Sequence, residues 1–250
     1  MVRKVLIFEG VLVLVLLLGG CSQSGGGSST RGVSDVTSES SAATSNSTDV
    51  GGEAGSVTRK SKNMSSETRD VSGFNEVELD GIGNLSIQQT GNESLTVEAE
   101  EDVIPKIRTE VVDNRLIIGP EPNTTINTTE PINYELTVKD LNALKLSGSG
   151  NIDAEGVSTD ELVVSDSGAG DIKVSGRADS QDIDISGSGK YRGEDLESKE
   201  AKIDVKGSGS ATLNVSDELN ARVSGSGSVE YIGDPAVDQE VSGAGRVRKR

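Results

Sequence analysis

The sequence predicts an all-β chain: a parallel β-solenoid (β-helix) with coils of about 19 residues, preceded by an irregular β-rich part that caps it. Three observations predict this. A Gly-x-Gly phrase, first written "LKLSGSGNID", occurs six times, with its first glycine at 148, 168, 187, 207, 225 and 243, at spacings of 20, 19, 20, 18 and 18. Apolar and polar residues alternate on both sides of each phrase, which is the period of a strand with one buried face. No segment after residue 70 carries the 3.6-residue apolar period of a helix.

The chain opens on a basic start (Arg3, Lys4), an apolar stretch to Leu18 and then Leu18-Gly19-Gly20-Cys21. A charged start, a short apolar region and small residues before a cleavage point describe an export signal over residues 1–20. Leu at −3 and Gly at −1 of a cysteine match a lipobox, so Cys21 is expected to be lipidated and to hold an exported chain on the membrane or outer envelope. Residues 21–70 are dominated by Ser, Thr and Gly with no apolar repeat, and read as a disordered tether.

Residues 71–140 carry an earlier copy of the phrase, "VELDGIGNLSI", whose glycines are Gly81 and Gly83 and whose inward positions are Val77, Leu79, Leu85 and Ile87. Strands are predicted over Ser94–Ala99, Ile107–Val112, Arg115–Ile118 and Asn133–Val138, with Asp113-Asn114 as a hairpin turn. Pro120, Pro122 and Pro131 flank a loop. This part is expected to cap the solenoid.

Residues 141–250 are the regular coils. Counting from the first glycine, position −4 reads Leu144, Val164, Ile183, Ile203, Ala221, Gln239 and position −2 reads Leu146, Asp166, Ile185, Val205, Val223, Val241. Position +4 reads Ile152, Ile172, Tyr191, Ala211, Val229, Val247, and +6 reads Ala154, Val174, Gly193, Leu213, Tyr231, Lys249. Two short strands per coil are expected, with a third side at Val157, Ala178 and Leu196. Stacked coils put each column in register about 4.8 Å apart, so aliphatic residues bury against their own repeats. The paired glycines (Gly148 and Gly150, Gly168 and Gly170, Gly187 and Gly189, Gly207 and Gly209, Gly225 and Gly227, Gly243 and Gly245) are expected at coil corners. There the backbone needs positive φ, or neighbouring corners pack too closely for a Cβ. A phosphate-cradling loop is excluded, because the third glycine is missing and a strand rather than a helix follows. A calcium-binding nonapeptide repeat fails too, since the period is twice too long.

Composition removes much chemistry. The chain has no His and no Trp, and Cys21 is its only cysteine, so no triad, imidazole base or His-bearing zinc site can be built. Any metal would be a hard cation on carboxylates, and Asp184 and Asp204, stacked in adjacent coils, are the candidate pair. Residues 71–250 carry a net charge of −17, which argues against nucleic acid as a partner. Sequons begin at Asn46, Asn63, Asn84, Asn92, Asn123, Asn127 and Asn214, seven against roughly two or three from composition, so N-glycosylation is expected in a host with the transferase. The basic end, Arg246, Arg248, Lys249 and Arg250, is expected to guard the open edge of the last coil; docking on an acidic polymer or on the domain's own acidic side is the other reading.

Over residues 72–248 the chain resembles the auto-transporter adhesin head family, the GIN domain, through "FNEVELDGIGNLSI", "ALKLSGSGNI" and "VSGSGSVEYIGDPAVDQEVSGAGRV". The resemblance implies a β-helix-like head on exported, often lipid-anchored proteins, with right-handed coils and no catalytic residues or cofactor. A non-enzymatic envelope lipoprotein in adhesion or envelope interaction is therefore expected, its partner an envelope glycan or surface protein. The alternative is a polysaccharide-binding or polysaccharide-cleaving β-helix protein with a carboxylate or calcium site at Asp184 and Asp204. Oligomeric state stays open at this point.

Overall fold

The computed structural model describes residues 63–250; the leader, Cys21, Asn46 and the tether to residue 62 lie outside them. The first eight strands in chain order are β1 (Met64–Arg69), β2 (Glu76–Leu79), β3 (Asn84–Gln89), β4 (Ser94–Glu100), β5 (Ile107–Val112), β6 (Arg115–Pro120), β7 (Asn133–Val138) and β8 (Ala143–Leu146). Then come β9 (Asn151–Asp166), β10 (Asp171–Ile185), β11 (Lys190–Val205), β12 (Ser210–Val223), β13 (Ser228–Ile232), β14 (Ala236–Val241) and β15 (Arg246–Lys249). The expected β-solenoid is present, and no α-helix forms among the described residues.

Each Gly-x-Gly corner has a strand on either side. Before the corner the strands stack as β5-β6-β2-β8-β9-β10-β11-β12-β14; after it they stack as β1-β4-β7-β3-β9-β10-β11-β12-β13-β15. The two short strands expected in each coil are joined: β9 to β12 run 14 to 16 residues from one glycine corner to the next. The third side is a bend within the strand rather than a separate element, marked by register shifts such as those at Val174/Gly176 and Gly193/Glu197.

Below the last coil the inward columns are buried, apart from the half-buried Tyr231; in the last coil Gln239, Val241 and Lys249 are exposed and Val247 is half-buried. Val157, Ala178 and Leu196 close the third side. A further inward column, Leu162, Gln181, Ala201 and Leu219 at −6, was not anticipated, because a glutamine and a small residue interrupt its apolar character. Each large aliphatic side chain so buried contributes about 1.5–3 kcal/mol. The inward column at +4 holds one Tyr, Tyr191, and the residue two further on is Gly193 because a Cβ there would come within 2.7 Å of the ring. The Tyr191 hydroxyl donates to Gln181 Oε1 (2.7 Å), Gln181 Nε2 donates to Ser198 Oγ (2.8 Å), and Ser198 Oγ donates to Asn214 O (2.9 Å). The buried polar groups of this column thus satisfy one another.

The corners resolve the two readings of glycine. Gly148, Gly168, Gly187, Gly207 and Gly225 all lack positive φ, yet a Cβ on each would lie closer than 3.0 Å to the carbonyl oxygen of the first glycine one coil below. That same carbonyl accepts the corner hydrogen bond of the next coil: Ala169 N donates to Gly148 O (3.0 Å), Ser188 N to Gly168 O (3.0 Å) and Ser208 N to Gly187 O (3.3 Å). Close approach, not backbone conformation, selects glycine in the regular coils. Positive φ enters only at the ends of the series, at Gly81, Gly83 and Gly243.

The N-terminal half caps the stack by a folded-back path. β6, the loop 121–132 and β7 form a coil beneath β2 and β3, while β8 and β9 form the coil above, so the first coil in sequence is second in space. Asp113 and Asn114 both have positive φ (49° and 64°), the two-residue hairpin expected between β5 and β6. Ile126 and Ile132 from the loop pack on the core, and the buried Glu100 carboxylate pins it, accepting from Thr129 N (2.9 Å), Thr129 Oγ1 (2.6 Å) and Glu130 N (3.2 Å). One boundary needs correction. The tether was expected to reach residue 70, but Met64–Arg69 forms β1, antiparallel to β4. Its side chains are mostly exposed, so backbone pairing holds it together with one side-chain contact, Arg69 donating to Ile104 O (3.1 Å), and no apolar pattern announces it.

Asp166 breaks the −2 column. It is 1% exposed between Leu146 and Ile185; Oδ1 accepts from Gly168 N (2.9 Å), while Oδ2 is buried without a partner. Burial raises its pKa, against the Gly168 hydrogen bond, and the nearby Asp171 adds to the rise. A carboxyl whose folded pKa is raised contributes stability below its unfolded pKa, and that contribution is lost as pH rises through the folded value.

Two substitutions test this account. Gly168→Ala is expected to destabilise the domain by about 3 kcal/mol, because backbone must shift, while Ser188→Ala at an exposed corner position costs less than about 0.5 kcal/mol; denaturant unfolding measures both. Asp166→Asn is expected to stabilise by about 1 kcal/mol at neutral pH. Its advantage should shrink as the pH falls, in a series of melts of both proteins; an advantage independent of pH would refute the ionisation account.

Candidate interaction surface

In-register stacking turns the outward positions into ladders that run along the solenoid. On the face after the corner, Asn84 Nδ2 donates to Asn133 Oδ1 (3.2 Å), Asn151 Nδ2 donates to Asn84 Oδ1 (3.1 Å), and Asp171 N donates to Asn151 Oδ1 (3.1 Å). Arg192 pairs with Asp171 (3.0 Å) and Lys173 with Asp153 (3.8 Å) beside it. A shallow groove lined by Asn84, Asn151, Asp153, Asp171, Lys173 and Arg192 follows this ladder. Only the asparagines at the corners of the Gly81 and Gly148 phrases signalled it in sequence.

On the face before the corner, Lys145 Nζ meets the buried Glu78 at Oε1 (2.8 Å), and Lys202 meets Asp182 (2.7 Å). Asp184 and Asp204 are brought together as predicted, paired across β10 and β11. Between them sits a cation of the chain's own: Lys206 Nζ contacts Asp184 Oδ2 (2.5 Å) and Asp204 Oδ2 (3.3 Å). Hydrogen bonding to Asp184 and then to Asp204 raises the Lys206 pKa, so the ammonium stays charged. A calcium ion would have to displace it, and no group of three or more metal-ligating side chains occurs among the described residues.

The bend along the third side is the acidic face. Residues 155–161, 175–181, 194–200 and 214–218 together hold ten acidic side chains against two basic ones, Arg177 and Lys199. Arg177 pairs with Glu197 (3.1 Å) and Lys199 with Asp179 (2.8 Å), flanking a groove floored by Ser198 and Asn214. Such a face repels polyanions.

The sequons differ in access. Asn63, Asn92, Asn123 and Asn127 are exposed, and Asn123 adopts positive φ on its loop. Asn84 is exposed but spends its amide on the asparagine ladder, and Asn214 donates Nδ2 to Glu194 O (3.3 Å). Thr129, the hydroxyl residue of the Asn127 sequon, is held by Glu100. At the basic end, Arg248 pairs with Glu230 and Lys249 with Asp234, so two of the four charges lie on the domain's own acids.

Residues 73–235 match the family described as putative auto-transporter adhesin, head GIN domain. The chain belongs to this family. Two solved structures show the GIN-domain fold in other chains. A putative adhesin from Bacteroides fragilis NCTC 9343 is 21% identical with a TM-score of 0.64, over 76% of this chain and 98% of that one. A putative adhesin from Parabacteroides distasonis ATCC 8503 is 23% identical with a TM-score of 0.52, over 76% of this chain and 98% of that one. No curated protein gives a significant match.

The lysine at the carboxylate pair sets an expectation for this GIN domain. Millimolar calcium should leave its melting temperature unchanged, whereas in Lys206→Ala the freed carboxylates repel and calcium should raise the melt. A calcium-dependent rise in the unaltered protein would show that Lys206 yields the site.

Proposed function

We propose that this protein is an exported cell-envelope lipoprotein, held in the membrane through a lipidated Cys21, that displays its GIN domain as a non-enzymatic head for adhesion or envelope interaction. The observation that carries the reading is the surface itself. Polar ladders run along successive coils, and the one carboxylate pair legible in sequence is bridged by Lys206 rather than held open for chemistry. Such a surface suits recognition by many weak, repeated contacts along an extended partner, an envelope glycan or a surface protein. The family's description as an adhesin head supports this, and the leader with its lipobox supports export and anchoring. Glycans on Asn123 and Asn127 would decorate the capping loop in a host that makes them.

The rival reading, a polysaccharide-binding or polysaccharide-cleaving protein with a calcium site at Asp184 and Asp204, is separated from this one by calcium. The test presents the full protein on cells and measures binding to envelope glycans and to whole cells, with and without calcium, alongside release of sugar fragments. Saturable, calcium-independent binding without fragment release is expected. Calcium-dependent cleavage lost in Asp184→Asn would favour the rival, and no binding at all would retire the adhesin reading. In the same cells Cys21→Ser should move the protein out of the membrane fraction; retention there would overturn lipid anchoring.

A further inference from the structure

We propose that the protein self-associates through the last coil of its solenoid, two copies meeting end to end with β14 of each laid antiparallel against β15 of the other. Among the described residues nothing covers this coil. Val237 and Val241 are 38% and 42% exposed, while Leu219 and Val223, their equivalents one coil below, are 0% and 1% exposed. Both β14 and β15 pair on one side only, with β12 and β13. An uncovered strand edge that exposes core positions is a template for another strand.

The sequence of this coil is complementary to itself in one arrangement. Ala244 is the centre of the corner, with β14 ending before it and β15 starting after it. A half-turn about an axis through Ala244, in the plane of the coil and bisecting the corner, lays β14 of one copy on β15 of the other, with strands antiparallel. Residues equally far from 244 then face each other. Val241 meets Val247 and Gln239 meets Lys249 at inward positions; Glu240 meets Arg248 and Asp238 meets Arg250 at outward positions. Inward faces inward, outward faces outward, and every charged pair joins opposite signs, as cross-strand pairing favours. Pairing β14 with its own copy would instead bring Asp238 and Glu240 onto acids, and pairing β15 with its own copy would crowd arginines.

The existing ion pairs continue across this junction. Arg248 already lies on Glu230 of the coil below, and Arg222 lies 3.7 Å from Glu240. Joining the ends gives one alternating ladder: Glu230, Arg248, then Glu240 and Arg222 of the second copy. The basic end thus excludes like pairings and admits one. A two-fold junction of this kind closes at two copies and does not propagate.

The test uses the full protein in its membranes and after detergent solubilisation. Ala244→Cys places a thiol on the two-fold axis, and mild oxidation should link it to its mate as a dimer, while Ser226→Cys, one coil deeper, and the unaltered chain should not link. Asp238→Arg should weaken the solubilised dimer on the order of tenfold, by turning two attractions into repulsions, and Asp238→Arg with Arg250→Asp should return it toward the original affinity. Sedimentation measures both. A monomer at all concentrations overturns the proposal, whether the cysteine at 244 reacts freely with a thiol reagent or is shielded by residues 1–62. Open-ended oligomers, or a charge swap that fails to restore a dimer still formed by the unaltered chain, overturn it as well.

Discussion

Everything in this solenoid depends on one contact, the stacking of each glycine corner on the carbonyl of the corner beneath. The first-glycine carbonyl accepts a hydrogen bond from the residue after the next coil's first glycine, and it occupies the space that a Cβ on that glycine would need. Hydrogen bonding and steric exclusion therefore act at the same atom. Because the corner is locked in register, each residue lies over its counterpart in the neighbouring coil, and inward columns can be uniformly apolar. Coil length can vary from 18 to 20 residues only because the difference is absorbed elsewhere, in the register shifts of the bend.

That division explains what could be read in advance. Columns within six residues of a corner are fixed by it, and Leu146, Ile152, Ile183 and Leu213 were placed inward from spacing alone. The −6 column keeps the same register, but with Gln181 and Ala201 between leucines it carried too little apolar signal to be placed. β1 escaped for a different reason: strand pairing through backbone leaves no trace in side-chain pattern. The choice between positive φ and close approach could not be made from sequence, since both select glycine; only the distance to Gly148 O and its equivalents decides.

The surface was legible to the same depth. Periodicity placed Asp184 beside Asp204, but it could not give the reach of a lysine. Lys206 stands in the corner run, at a position occupied by serine in the other five coils (Ser147, Ser167, Ser186, Ser224 and Ser242), and reads as a crowded turn residue. Its four-carbon stem returns the ammonium to both carboxylates. A column pair of like charges thus needs to be examined together with any long cation within a few residues along the chain. The same caution applies to Asn84, whose sequon is plain in sequence while its amide is committed to Asn133.

Stacking also constrains where an acidic chain can put its charge. Residues in one column lie about 4.8 Å apart, close enough that like charges on adjacent coils oppose the stack. On the flat faces the carboxylates accordingly alternate with or lie beside cations, as at Glu78 and Lys145, Asp182 and Lys202, and Glu230 and Arg248. The excess of acids is displaced to the bend, where register shifts spread neighbouring side chains and solvent screens them. Asp166 is the one acid left inside a column, and it has no cation beside it. The chain therefore presents two different surfaces for one structural reason: near-neutral, hydrogen-bonded ladders where the coils are in register, and a strongly acidic ridge where they are not. A partner that follows the ladders would recognise spacing, and one that follows the ridge would recognise charge.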